Sequence, residues 1–294
     1  MNVTVSFLGL GAMGYPMAGH LARKFDTLVW NRTREKAIAH EAEFGSRAVN
    51  SVAEAADVDI LFTCLPTTAD VASLAPEIVS GAREGLVWVD CTSGDPGKSR
   101  ELAEWLSRRG VELVDAPVSG GTVGAQKGAL TVMYGGAEAT MEEVRPALEA
   151  FAAKVVRVGD VGAGHAVKAI NNALLAVNLW SASEGLAALA ALGVDVGAAL
   201  DVINASSGRS NVTENLIPQR VLTREFPATF KLGLLAKDAG LALDVAREAK
   251  APTPLLAMLE SLVRAAARDI GPDEDHTALA KLLERWAGAQ IKSS

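Results

Sequence analysis

The chain reads as an α/β protein: an N-terminal doubly wound, mostly parallel sheet followed by an all-helical C-terminal domain. Three observations predict this. Through the first 160 residues, short runs rich in Val, Leu and Phe alternate with helical patterns, as fits strands covered on both faces by crossover helices. After Gly159 the strand signal stops and a long Ala- and Leu-rich helical pattern begins. A length of 294 residues suits two domains rather than one. The boundary is expected in the glycine-rich GDVGAG at 159–164, giving domains 1–160 and 161–294.

In chain order, VTVSFLG (3–9) predicts a first strand, followed by a helix from about Ala12 to Lys24. TLVWN (27–31) leads into a helix over 34–44, and DILFTCL (59–65) into one over 68–80. LVWVDC (86–91) precedes a helix over 95–109. VELVDAPV (111–118), LTVMYGG (130–136) and KVVRVG (154–159) complete the strands, with a helix near 138–151 before the last. Beyond them, helical patterns cover 163–192, 195–205, 232–249, 254–268 and 276–289.

Composition narrows the function. The chain is 49% hydrophobic and 21% charged, with a net charge of −7. That balance suits a globular protein with a sizeable core and lacks the basic excess that nucleic-acid backbones require. The N-terminus MNVTVSFLGLG has no basic leader. The most apolar stretch, 173–200, is interrupted by Asn178, Ser181, Ser183, Glu184 and Asp195, so no membrane span is expected and the expected compartment is the cytoplasm. Cys64 and Cys91 lie in apolar runs and read as small hydrophobes. The four histidines (20, 40, 165 and 276) share no ligand spacing, so no metal is expected.

The chemistry-bearing motifs begin at GLGAMG, 9–14, a G-x-G-x-x-G run between the first strand and the first helix. There glycines let the backbone approach a pyrophosphate at a positive helix end. The second strand ends in Asn31-Arg32-Thr33. It lacks the acid that accepts from the ribose 2′-hydroxyl of NAD, and offers a guanidinium and a hydroxyl that suit the 2′-phosphate of NADP. NADP is therefore the expected cofactor, with NAD possible. Leu65-Pro66 and Ser93 lie at later strand ends. Ser119-Gly120-Gly121-Thr122 offers backbone N–H groups and hydroxyls to an anion such as a substrate carboxylate. On the long helix, Lys168 and Asn172 share a face. A lysine among Ala, Leu and Val is partly desolvated and suited to proton transfer.

Together, GLGAMGYPMA (9–18), the Leu-Pro at 65–66, DAPVSGG (115–121), GAGHAVKAINN (162–172), SSGRS (206–210) and Lys237-Asp238 resemble the β-hydroxyacid dehydrogenase family, best known from 3-hydroxyisobutyrate dehydrogenase. The resemblance spans nearly the whole chain and implies a Rossmann domain followed by a helical one. It implies Lys168 as the catalytic general acid/base and Asn172 as the asparagine that places the substrate. Ser119, Gly120 and Gly121 would form the substrate loop. Gly9, Gly11, Met13, Gly14, Asn31, Arg32, Thr33, Leu65, Pro66, Ser93 and Lys237 would contact the cofactor. Asp70 stands where many members have Asn, and that contact is not carried over.

Asn31-Arg32-Thr33 is similar to the branch of NADPH-dependent glyoxylate and succinic semialdehyde reductases, whereas SGGTVGAQKG is closer to the hydroxyisobutyrate branch. The expected activity interconverts a small carboxylate-bearing 3-hydroxy acid and its semialdehyde or oxo acid. A 6-phosphogluconate-type dehydrogenase would need a longer helical domain. A non-catalytic NADP-binding module would have no use for Lys168 and Asn172. A homodimer or homotetramer is expected, because the 163–192 helix is apolar around most of its circumference.

Overall fold

The computed structural model describes residues 3–292. The chain divides into two compact units, one ending at Lys168 and the other starting at Ala169.

In the first unit, β1 (Thr4–Leu8), β2 (Asp26–Trp30), β3 (Arg47–Ala48), β4 (Ile60–Thr63), β5 (Val87–Asp90) and β6 (Glu112–Asp115) pair in parallel. β7 (Val118–Ser119) and β8 (Leu130–Gly135) extend the sheet antiparallel, and β9 (Ala152–Gly159) joins β8 in parallel. The order is β3-β2-β1-β4-β5-β6-β8-β7, with β9 pairing β8. The helices are α1 (Gly14–Ala22), α2 (Arg34–Phe44), α3 (Val52–Ala55), α4 (Thr68–Gly81), α5 (Pro96–Ser107), α6 (Gly121–Lys127) and α7 (Glu138–Leu148).

Successive residues of one strand serve opposite faces, which explains the near-continuous apolar runs. Phe7, Phe62 and Val89 enter one core, with Phe151 and Tyr134. Their neighbours Leu8, Leu61 and Trp88 enter the other, with Ile78 and Leu106. Cys91 is buried in the first of these cores, where burial pushes its thiol up. Among the described residues no disulfide joins it to Cys64. Two elements differ from the expected boundaries. The long VELVDAPV run breaks into β6 and β7 at Ala116-Pro117, since proline cannot donate to a ladder. The glycine-rich 119–128 run, read as a loop, contains the short helix α6.

The second unit is helical, as expected. It contains most of α8 (Ala163–Ala191), then α9 (Val196–Asn204), α10 (Leu232–Glu248), α11 (Pro254–Ile270) and α12 (Ala280–Ala287). A 3₁₀ turn, His276–Leu279, leads into α12. By length and composition alone α8 could cross a membrane. In the fold it is a core helix: Ala169, Ala173, Ala176, Leu179, Trp180, Leu186 and Ala187 pack with Leu200, Ile217, Leu235, Ala242 and Val263. The sequence reading missed a π-helical segment, Val212–Leu222. Pro218 at its centre argues against an α-helix, and the wide turn stacks Val212, Ile217 and Val221 on one buried stripe instead.

Asp275 stitches this unit together. Its carboxylate accepts from Thr229 N (3.1 Å) and Oγ1 (2.8 Å), Phe230 N (3.2 Å), and Thr277 N (3.0 Å) and Oγ1 (2.6 Å). Burial alone would raise its carboxyl, but the charge and hydrogen bond of His276 and the Thr277 donors outweigh it and hold the group well below the usual carboxylate range. The folded state therefore binds this proton less tightly than the unfolded chain. The stabilisation is complete above pH about 4 and is lost as pH falls further. Asp275→Asn should cost about 2–4 kcal/mol at pH 7, with the gap to wild type narrowing between roughly pH 4 and pH 2. Denaturant unfolding at a series of pH values checks this, and a gap independent of pH would refute it.

Candidate active site

The parallel strands end at one edge of the sheet, and the loops that leave them carry most of the residues singled out above. At the first, Gly9 adopts φ +101°, and a Cβ there would stand 2.5 Å from the Cys64 carbonyl. A Cβ on Gly14 would come within 2.0 Å of the Gly9 carbonyl. These two glycines are required by the protein's own close packing. Gly11 is different: it is exposed, and a Cβ there would meet nothing within 4 Å. α1 also begins without a side-chain cap and with no acid in its first turn. Open space above an uncapped helix N-terminus fits a pyrophosphate, so the residues present suit a dinucleotide.

Asn31 joins this loop to the next. Its Oδ1 accepts from Leu10 N (2.9 Å) and its Nδ2 donates to the Thr33 carbonyl (2.9 Å). Both ends of the amide thus hold backbone, while Arg32 and Thr33 remain exposed beside it. Thr33 precedes α2 without capping it. Leu65 N donates to Thr92 Oγ1 (3.1 Å), tying the Leu65-Pro66 turn to the Ser93 loop. Asp70 pairs with Thr67, the N-cap of α4, through a 2.6 Å hydrogen bond. Ser119 ends β7, and Gly120, at φ +135°, precedes α6. Gly121 is exposed, and a Cβ on it would likewise meet nothing within 4 Å.

Lys168 is half-buried on the second turn of α8. What fixes that turn is Asp115, at the end of β6. Its Oδ1 accepts from Gly162 N (2.6 Å) and its Oδ2 from His165 N (2.7 Å). Burial pushes this carboxyl up, against the pull of His165 and the two backbone donors. Space for the carboxylate comes from glycine: a Cβ on Gly135 would lie 2.4 Å from Asp115 Oδ1, and one on Gly164 2.8 Å from Oδ2. His165 is fully buried, with Nδ1 2.9 Å from Ser99 Oγ and Nε2 3.8 Å from Asp90 Oδ2. Asp90 in turn accepts from Thr63 Oγ1 (2.9 Å) and Thr92 N (3.1 Å). Sequence reasoning missed Asp90, Asp115 and His165 as a group. The available signal was the Val-Asp ending of both VWVD and ELVD.

In the second unit, Asn172 is buried and its Nδ2 donates to Asp238 Oδ2 (2.6 Å). Lys237 Nζ stands 3.2 Å from Asp238 Oδ1. Asn172, Lys237 and Asp238 are thus brought together by α8 and α10.

Comparison with known proteins places both parts of the chain in known families. Residues 4–159 match the NAD-binding domain of 6-phosphogluconate dehydrogenase, and residues 162–283 match the family described as NAD-binding of NADP-dependent 3-hydroxyisobutyrate dehydrogenase. These matches, with the relatives below, show an NAD(P)-dependent dehydrogenase acting on CH–OH groups. A 2-(hydroxymethyl)glutarate dehydrogenase of Eubacterium barkeri is 35% identical over 99% of this chain and 98% of its own. The human mitochondrial 3-hydroxyisobutyrate dehydrogenase is 34% identical over 88% of this chain and 80% of its own. Among solved structures, the Mycobacterium tuberculosis 3-hydroxyisobutyrate dehydrogenase with L-serine superposes with a TM-score of 0.88 at 31% identity, covering 96% of this chain and 99% of that one. The chain belongs to the β-hydroxyacid dehydrogenase family, that of 3-hydroxyisobutyrate dehydrogenase.

Proposed function

We propose that the protein interconverts a small 3-hydroxy acid and its semialdehyde or oxo acid, with NADP preferred. The observation that carries this reading is Lys168, placed on α8 one turn beyond the helix start that Asp115 holds. The substrate class draws support from its relatives. The molecules named for them, 2-(hydroxymethyl)glutarate, 3-hydroxyisobutyrate and L-serine, share a primary alcohol one carbon removed from the carbon that bears the carboxylate. The Arg32-Thr33 pair favours a second reading, an NADPH-dependent reductase of glyoxylate or succinic semialdehyde, which forms a 2- or 4-hydroxy acid by the same kind of hydride transfer.

A bound nicotinamide supplies or accepts the hydride. The chain does the rest. Ser119 and the backbone of Gly120-Gly121 hold the substrate carboxylate. Lys168 gives a proton to the carbonyl oxygen during reduction and removes one from the hydroxyl during oxidation. Gly9, Gly11, Met13 and Gly14 would receive the pyrophosphate, Arg32 and Thr33 the 2′-phosphate, and Leu65, Pro66, Ser93 and Lys237 the remainder of the cofactor.

Lys168→Ala should lower kcat on a panel of small 3-hydroxy acids about 10²–10⁴-fold and leave the dissociation constant for NADPH nearly unchanged. Near-normal turnover would remove Lys168 from the reaction. Arg32→Ala should raise KM for NADPH by roughly ten- to a hundredfold and that for NADH little, as expected for one charge-assisted contact. A wild-type preference for NADH would overturn the cofactor assignment.

The protein should also assemble as a homodimer or homotetramer. Leu174 on α8 (57% exposed), Val202 on α9 (67%) and Met258 on α11 (56%) leave apolar surface uncovered within the second unit. Sedimentation equilibrium at micromolar concentration should give a mass at least twice the 30.6 kDa of the chain. A single active species at the chain mass would refute assembly.

A further inference from the structure

The chain has two cysteines, on separate apolar runs of the sequence, and the sheet sets them side by side. β4 and β5 pair in parallel with Thr63 opposite Asp90. The ladder continues one step further, because Cys91 N donates to the Thr63 carbonyl (2.8 Å). In a parallel pair that bond sets a residue beside the one after its acceptor. Val87 N obeys the same rule, donating to the Asp59 carbonyl (3.1 Å) while Val87 stands beside Ile60. Cys91 therefore stands beside Cys64. It lies in the core that Phe62 and Val89 enter two residues earlier, and Cys64 packs against that same core. Neighbouring strands run about 4.8 Å apart, within the roughly 4.4–6.8 Å of Cα separation that a disulfide spans.

The pair sits where a small movement has consequences. Cys64 leads into Leu65-Pro66 and Cys91 into Thr92-Ser93, the turns already joined by the Leu65 N to Thr92 Oγ1 hydrogen bond. On its other side, Cys64 N donates to the Leu8 carbonyl (3.1 Å), and a Cβ on Gly9 would stand 2.5 Å from the Cys64 carbonyl. The backbone of Cys64 thus sets the place of the first glycine in the 9–14 loop. Bridged Cβ atoms stand about 3.8 Å apart, closer than the spacing of the strands. Bridging would draw Cys64 toward Cys91 and away from Gly9. The two thiols also differ in access: Cys64 is half-buried, whereas Cys91 is 2% exposed. An oxidant reaches Cys64 first, and Cys91 needs access only to the sulfur of its neighbour.

We propose that Cys64 and Cys91 form a redox-modification site, oxidised by a hydroperoxide to an intramolecular disulfide that weakens dinucleotide binding at the Gly9–Gly14 loop. The Cys64 sulfur attacks one peroxide oxygen and becomes a sulfenic acid. The O–O bond breaks, and the other oxygen leaves as water with the Cys64 proton. The Cys91 sulfur then attacks that of Cys64. An S–S bond forms, the S–O bond breaks, and the oxygen departs as water with the Cys91 proton. Each sulfur gives up one electron, and the two electrons reduce the peroxide. An added dithiol reverses the bridge by exchange. The proposal goes beyond the hydroxy-acid chemistry and rests on the reading of the 9–14 loop as the dinucleotide site.

The test treats the full chain with hydrogen peroxide, then measures intact mass and the dissociation constant for NADPH. Each chain should lose two hydrogens, and a digest should contain one peptide pair joined through Cys64 and Cys91. The dissociation constant should rise roughly 5- to 150-fold, the usual span of coupling between two sites. Dithiothreitol should restore it, which oxidation of methionine would not allow. Cys64→Ser should bind NADPH as reduced wild type does and keep that affinity in peroxide. Should Cys64→Ser fail to fold, Cys91→Ala takes its place with the same expectation. A bridge between two chains, or oxidation that ends at Cys64 without a bridge, overturns the proposal. Weakened binding in the peroxide-treated variant overturns it as well. Bridged protein with unchanged affinity refutes the coupling alone, whereas reduced wild type that binds no dinucleotide refutes the reading of the 9–14 loop itself.

Discussion

Asp115 ends the sixth strand and begins the long helix. Two of the donors that an α-helix leaves unsatisfied at its start, Gly162 N and His165 N, are taken by one buried carboxylate. The negative group also sits at the positive end of a 29-residue helix. The sheet edge therefore sets where α8 starts and in which rotational phase. Lys168, three residues past His165, inherits that phase.

The surroundings of Asp115 follow from that single constraint. A Cβ on Gly135 would occupy the space of the carboxylate, and one on Gly164 would meet both the Met133 carbonyl (2.2 Å) and the carboxylate (2.8 Å). Gly94 leaves room for His165, whose Cε1 would lie 2.7 Å from a Cβ placed there. Behind His165, Ser99, Asp90, Thr63 and Trp88 form a chain of buried polar contacts reaching the fourth and fifth strands. Most of these buried groups are satisfied by partners, as burial requires, while His165 Nε2 faces Asp90 at ion-pair distance without a hydrogen bond. Thr92 belongs to the same chain and also receives Leu65 N. One polar network thus underlies the Leu65-Pro66 and Thr92-Ser93 loops and the start of the helix that carries Lys168.

Much of this was legible in the sequence, for reasons that differ by element. Strands β1, β4 and β5 are buried on both faces, and their near-continuous apolar runs mark them. The helices α4, α8 and α10 carry strong starts or long apolar faces, and their ends fall within about two residues of expectation. The π-helical segment was not legible, since Pro218 and the polar residues around it resemble a loop until Val212, Ile217 and Val221 find a core. The same holds for α6, whose glycines favour a turn in isolation. The glycine loop at 9–14 was readable as a motif, but the sequence does not distinguish Gly9 and Gly14, required by packing, from Gly11, whose space is open.

Charged residues were the hardest to read, because sequence position does not reveal what faces them. Asp90, Asp115 and Asp238 look like ordinary strand-end or helix-surface acids, yet all three are at least 98% buried. Each is stabilised by donors distant in sequence: Thr63 for Asp90, Gly162 and His165 for Asp115, Asn172 for Asp238. A buried carboxylate that only accepts must orient whatever donates to it. In this fold, two of those donors are the start of α8 and the amide of Asn172, which lie on either side of Lys168 along one helix. The acids are therefore the fixed points from which α8 and the amide of Asn172 take their orientation, and Lys168 is carried between them.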